Sequence, residues 1–118
     1  MRIKYSYETE VQKKTGQGAL AEYIRAPADA VMKRPSNISP LHAAGVTIAA
    51  LSAYIPVVEY SNIGPGDLVL INGGSSSVGI FAIQIAKARG ATVWATASGK
   101  NEALVRSLGT DVVSSLIS

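Results

Sequence analysis

Cysteine is absent from all 118 residues. Disulfides and thiolate zinc sites are thereby excluded, and the composition fits a reducing compartment, with the cytoplasm the expected one. Histidine occurs once, at His42. Catalytic zinc needs about three protein ligands, so no metal is expected. Charge is also scarce, at 16% of residues with a net +3. Its cations, among them Lys33, Arg34, Lys87, Arg89 and Lys100, are scattered, with no basic stripe interleaved with aromatics, so a mildly basic surface is expected rather than a nucleic-acid interface. The first 14 residues hold no apolar run of the kind a secretory leader requires, and Glu8 and Glu10 speak against a mitochondrial presequence. Apolar stretches are interrupted by Gly, Pro and polar residues, so no membrane span is expected. There are no internal repeats. What is present is 47% apolar residues, enough for the packed core of one small domain.

The most informative segment runs from Asp67 to Lys100. Asp67–Asn72 is a short apolar run, Gly73–Gly79 a loop of small residues, Ile80–Arg89 an apolar helix stopped by Gly90, and Ala91–Thr96 a second β-prone run. A glycine loop holds a pyrophosphate only when a strand delivers it to a helix N-terminus, where free N–H groups and the positive end of the helix dipole face the ligand. This order predicts that Gly73, Gly74, Ser75, Ser76, Ser77, Val78 and Gly79 form a phosphate cradle. The plainer alternative is a tight β–α turn without a ligand.

Elsewhere the pattern is coarser. Met1–Gly18 reads as a loosely held polar arm, and Ala19–Arg25 and Ala30–Lys33 as short strands. Ser39-Pro40 is a helix start, a hydroxyl cap before proline at the first helical position. A helix follows over Leu41–Tyr54, with a kink or a new helix expected at Pro56. Asn101–Leu108 reads as a helix ended by Gly109, and Asp111–Val113 begins a third strand. A doubly wound nucleotide-binding sheet carries about six strands, so the chain reads as part of a larger protein.

These motifs, in this order, resemble the medium-chain dehydrogenase/reductase superfamily. The resemblance rests on Gly18-Ala19-Leu20-Ala21-Glu22-Tyr23, Leu51-Ser52-Ala53-Tyr54, Gly64-Pro65-Gly66-Asp67, the Gly73–Gly79 loop, Gln84-Ile85-Ala86-Lys87, Ala95-Thr96-Ala97-Ser98 and Leu108-Gly109-Thr110-Asp111. It covers roughly Thr15 to Val113. The zinc-free NADPH:quinone oxidoreductase (zeta-crystallin-like) branch is the most similar, with fungal trans-acting enoyl reductases as cousins. The implied fold is α/β, the first part of a Rossmann doubly wound parallel sheet preceded by a remnant of a β-rich GroES-like domain. The implied layout is 1–38 for that remnant, 39–64 for a helical linker and 65–118 for a truncated nucleotide-binding domain. Ser76 stands where the family usually has its central glycine. Its backbone N–H and hydroxyl are expected to face a phosphate, although its Cβ limits how closely the backbone approaches.

NAD-specific sites place Asp or Glu about 20 residues beyond the loop, on the adenosine ribose. Here that stretch is Thr96-Ala97-Ser98-Gly99-Lys100-Asn101, which holds no acid. Ser98, Lys100 and Asn101 therefore point to a 2′-phosphate and to NADP(H) as cofactor, against the alternative that Lys100 merely opens a solvated helix. Tyr54 resembles a family position near the nicotinamide, and catalytic residues stay unassigned. The loop lacks the Gly-x-Ser-x-Gly pattern of a serine nucleophile. The resemblance implies hydride transfer from NADPH to a small-molecule quinone or activated double bond, with a trans-acting enoyl reductase, a non-catalytic nucleotide-binding fragment or a functionless remnant as alternatives. With most of the GroES-like domain and half the sheet unmatched, the chain alone is expected to be inactive. It is also expected to associate, as a homo-oligomer or aggregate, through exposed sheet edges at Ala91–Thr96 and Val112–Val113.

Overall fold

The computed structural model describes residues 16, 20–23, 28 and 31–115. The chain divides into two compact units, Met1–Ile48 and Ala49–Ser118. This division falls inside the first helix, whereas the sequence placed boundaries after residues 38 and 64.

The N-terminal unit contains no strand among its described residues. Leu20–Tyr23 and Val31–Lys33, which fall within the two expected strands, are irregular. A strand is held by the ladder to its neighbour, and no neighbour is present among the described residues. The rest of the expected strands, and most of the polar arm, lie outside the described residues. The helix start reads as expected. In α1 (Pro40–Tyr54), Ser39 Oγ accepts from the His42 N–H at 3.2 Å and the Ser39 carbonyl from the Ala43 N–H at 2.9 Å.

Pro56 does not break α1. The chain continues as a π-helical segment over Ile55–Tyr60, with the Ser61 N–H donating to the Pro56 carbonyl at 3.1 Å. Proline has no N–H to give the preceding turn and its ring crowds that turn's carbonyl, so widening the helix relieves both problems. Pro40–Tyr60 is therefore one 21-residue helix of mean hydropathy 1.7, long and apolar enough to cross a membrane on length and composition. The expectation that Pro and Gly would interrupt every such stretch does not hold. Ala49, Ala53 and Val57, one per helical turn, are nonetheless buried, and Ala53 and Val57 belong to the core of the second unit.

That unit is a three-stranded parallel sheet in the order β1-β2-β3, with β1 at Leu68–Ile71, β2 at Thr92–Ala97 and β3 at Val112–Ser115. Helix α2 (Gly79–Ala88) joins β1 to β2, and a 3-10 turn (Gly99–Asn101) leads into α3 (Glu102–Ser107) before β3. Parallel neighbours require such crossovers. Gly79, Ala82, Ile83 and Ala86 form the buried face of α2, at the i, i+3, i+4, i+7 spacing of an amphipathic helix. They meet Val93, Ala95 and Ala97 from alternate positions of β2, with Ile71 and Val105 completing the core. Gly90, at φ +86, ends α2 in the left-handed conformation that only glycine adopts cheaply.

Alternation leaves the other sheet face open. Leu68, Leu70, Trp94 and Val112 are exposed, and Leu70, Trp94 and Val112 are in register across the three strands. β2 is paired on both sides, so Ala91–Thr96 is the centre of the sheet and not an edge. The edges among the described residues are β1 and β3.

Asp111 ties β3 to the rest. Its N–H donates to the Val93 carbonyl at 2.8 Å, and its carboxylate accepts from the Val93 N–H at 2.6 Å and from Lys87 Nζ at 2.9 Å. The Lys87 hydrogen bond, aided by the Val93 N–H, holds the Asp111 carboxyl below its ordinary value. A depressed carboxyl stabilises the fold fully above the unfolded value of about 3.9 and loses that contribution as pH falls through the folded value. Denaturation of the parent and of Asp111→Asn at a series of pH values checks this. The parent should lose stability more steeply than the variant below about pH 4, and parallel profiles would refute the tie.

Candidate functional site

The strand–loop–helix order expected from the sequence is present. Asn72 follows β1 directly, and the loop leads into α2. Gly73 sits at φ +74, where an L side chain is strained, and so turns the chain sharply off the strand. The other two glycines are needed for space. A Cβ on Gly74 would stand 2.9 Å from Ala95 Cβ and 3.1 Å from Ile83 Cδ1, between sheet and helix. A Cβ on Gly79 would run into the Gly73 carbonyl oxygen and lie 3.0 Å from the Gly74 Cα.

The loop is fastened to the end of β2. Thr96 Oγ1 accepts from the Gly73 N–H at 2.9 Å and donates to Asn72 Oδ1 at 2.5 Å, while the Thr96 carbonyl accepts from the Gly74 N–H at 2.8 Å. Thr96 and Asn72 were not among the residues expected at the site. The signal available was their position, each at the C-terminal end of a strand predicted to be parallel to the other.

Ser76 plays a different part from the one expected. Its N–H donates to the Gly73 carbonyl at 2.9 Å, its Oγ accepts from the Gly79 N–H at 3.0 Å, and its carbonyl accepts from the Ile80 N–H at 3.0 Å. It therefore closes the loop on itself and caps α2. Its backbone N–H is spent inside the turn, and only its hydroxyl proton remains to face outward. The N–H groups of Ser75, Ser77 and Val78 have no hydrogen-bond acceptor among the described residues. Ser76, Ser77 and Val78 are exposed and Ser75 is half-buried. The result is a run of N–H donors without a partner among the described residues, at the N-terminus of a ten-residue helix, which suits an anion.

The second loop lies beside it. Asn101 Nδ2 donates to Ser75 Oγ at 3.2 Å and to Ser98 Oγ at 3.1 Å, so Ser75, Ser98 and Asn101 are brought together. Lys100 is exposed in the same 3-10 turn. The nearest acid in sequence, Glu102, is drawn away along α3 by Arg106 at 2.8 Å. No group of three or more His, Cys, Asp or Glu side chains positioned for a metal occurs among the described residues. Tyr54, 42% exposed on α1, makes no hydrogen bond to the loop among the described residues.

The chain is 42% identical over 106 residues to a trans-enoyl reductase (tazE) of Aspergillus terreus, covering 81% of this chain and 34% of the relative. It is 36% identical over 103 residues to the chloroplastic quinone-oxidoreductase QR1 of Triphysaria versicolor, covering 83% and 31%. Among solved structures, the Thermus thermophilus quinone oxidoreductase, known also in complex with NADPH, matches at TM-score 0.77 and 33% identity over 84% of this chain and 34% of that one. The chain belongs to the medium-chain dehydrogenase/reductase superfamily. It spans about a third of the length of the curated relatives it matches. No protein-family model matches it. Superfamily membership accounts for the parallel α/β unit and for the Gly73–Gly79 loop at its strand ends.

Two substitutions test how the loop is held. Gly79→Ala puts a methyl into the Gly73 backbone and should cost roughly 1–3 kcal/mol or more, since the obstacle cannot rotate away. Thr96→Val keeps the shape but strands the Gly73 N–H, and should cost about 1–3 kcal/mol. Chemical denaturation measures both. Wild-type stability in either variant would mean that the loop is not anchored as described.

Proposed function

We propose that this chain holds the adenosine and pyrophosphate of NADPH for a reductase that delivers hydride to a quinone or another activated double bond. The observation that supports this most directly is the juxtaposition of two anion-seeking loops. The free N–H groups of Ser75, Ser77 and Val78 stand at the start of α2, and Ser98 and Lys100 stand on the adjoining turn without a competing carboxylate. A pyrophosphate fits the first set. A 2′-phosphate fits the second, because a hydroxyl and a cation favour it where an acid would repel it.

When bound, the nicotinamide cofactor supplies the hydride. This chain's part is to bind and orient. Gly74 and Gly79 let the backbone lie close to the sheet, Thr96 fixes the loop, and Ser76 keeps its turn closed. Tyr54 is proposed for the neighbourhood of the nicotinamide on family likeness alone. The electron acceptor is framed by the relatives. One is named a quinone-oxidoreductase and another, more similar in sequence, a trans-enoyl reductase. The enoyl alternative draws further support from a 38% identical stretch of a highly reducing polyketide synthase (valA) of Aspergillus terreus. The cofactor reading rests on the chain's own residues, because solved relatives include both an NADPH complex and an NAD-dependent alcohol dehydrogenase. The cytoplasm is the proposed compartment, although relatives include chloroplastic and mitochondrial proteins. Action away from membranes and nucleic acid is part of the same reading.

Titration of the purified chain with NADPH and NADH tests it. Lys100 is exposed, so its contribution is screened, and a preference for NADPH of roughly tenfold is expected. Lys100→Glu should abolish that preference while leaving NADH binding in place. Equal affinities in the parent chain would overturn the NADPH assignment, and binding of neither nucleotide would overturn the function.

A further inference from the structure

The carboxamide of Asn101 spends both of its N–H bonds on serine hydroxyl oxygens, one on each of the two loops. It donates to Ser75 Oγ at 3.2 Å and to Ser98 Oγ at 3.1 Å. Its own N–H donates to the Ser98 carbonyl at 2.8 Å, which fixes where the side chain starts. All three residues are half-buried, so the bridge is partly shielded from competing water. A serine hydroxyl has one proton to give and two lone pairs to receive. When a lone pair is filled by an amide N–H, the proton is left to point elsewhere, and donation by that hydroxyl is strengthened.

We infer that Asn101 is a positioning residue that turns the hydroxyls of Ser75 and Ser98 outward as donors, so that the pyrophosphate loop and the 2′-phosphate loop act as one anion-binding unit. This rests on the NADPH reading above and deepens it. Asn101 itself touches no phosphate in this scheme. Its carboxamide supplies donors to the serines, and the serines supply donors to the ligand. A lysine or arginine at position 101 would also donate, but as a charge that seeks the phosphate directly. A neutral, two-donor group is what lets one side chain serve both hydroxyls.

The test uses the full chain, Asn101→Ala and Asn101→Asp, with two readouts: affinity for NADPH and for NADH, and hydrogen exchange of the hydrogen-bonded Ser76 and Gly79 amides without nucleotide. Removing a net hydrogen bond lowers affinity roughly three- to tenfold. Asn101→Ala should show that loss for both nucleotides, with faster exchange in the loop. Asn101→Asp is the discriminating variant. A carboxylate can still span the two serines, so loop exchange should stay near the parent's. It accepts both hydroxyl protons, however, and takes them from the ligand. Affinity for both nucleotides should therefore fall at least as far as in Asn101→Ala, and further for NADPH.

Restored NADH affinity in Asn101→Asp would mean that the bridge only braces the loops, and would overturn the inference. A loss confined to NADPH in Asn101→Ala would mean direct contact with the 2′-phosphate, and would overturn it as well. If the parent binds neither nucleotide, the proposed function fails, and the bridge is judged by exchange alone. Unchanged Ser76 and Gly79 rates in Asn101→Ala then overturn it too.

Discussion

The contact between Gly79 and the backbone of Gly73 and Gly74 decides the geometry of everything near the site. There is no room for a single carbon atom between the first turn of α2 and the bend that leaves β1. With that gap closed, the Gly73 and Gly74 N–H groups reach Thr96 on the neighbouring strand, and Ser76 can cap the helix. Were the gap wider, the turn that carries the free N–H groups of Ser75, Ser77 and Val78 would no longer be closed by these bonds. The site is thus a consequence of how tightly α2 is set against the sheet.

The same packing explains why the second loop matters. Parallel pairing of β1 and β2 places the C-terminal ends of both strands side by side. The loops that follow them, Gly73–Gly79 and Ser98–Asn101, therefore meet above the sheet, as ligand crevices do in parallel α/β folds. Thr96 and Asn101 convert that adjacency into hydrogen bonds. At the far side of β2, Asp111 and Lys87 fasten β3 and α2, so the strand that carries Thr96 is held from both flanks. The opposite sheet face, with Leu70, Trp94 and Val112 in one row, plays no part in the site.

Much of this was legible in the residues. The small-residue loop was legible as a tight turn, because glycines and serines between an apolar strand and an apolar helix are where a β–α connection must bend sharply. The Ser39-Pro40 start and the Gly90 stop were legible for the same reason: each is a local rule about a cap or a left-handed turn. What was not legible depends on neighbours. Ser76 looks like a donor to a ligand until the Gly73 carbonyl is found to take its N–H. Thr96 looks like an ordinary β-branched strand residue until register sets it beside Asn72. Ala91–Thr96 looks like an exposed edge until β3 pairs with it. At Pro56 a kink or a new helix is expected, but pattern alone does not say that the helix continues there as a π-helical turn. The short N-terminal segments have strand-like patterns without a partner among the described residues, and pattern alone does not make a strand.

The most direct measurement is an amide-resolved NMR titration of the chain with NADPH, with NADH run alongside. The Ser75, Ser77 and Val78 N–H resonances should move with both nucleotides, and those of Ser98 and Lys100 should move further with NADPH. The Ser76 and Gly79 N–H groups, already bonded within the loop, should move least among their neighbours. Saturable shifts that bypass Ser75–Val78 and centre elsewhere on the chain would contradict the assignment of this loop as the phosphate cradle.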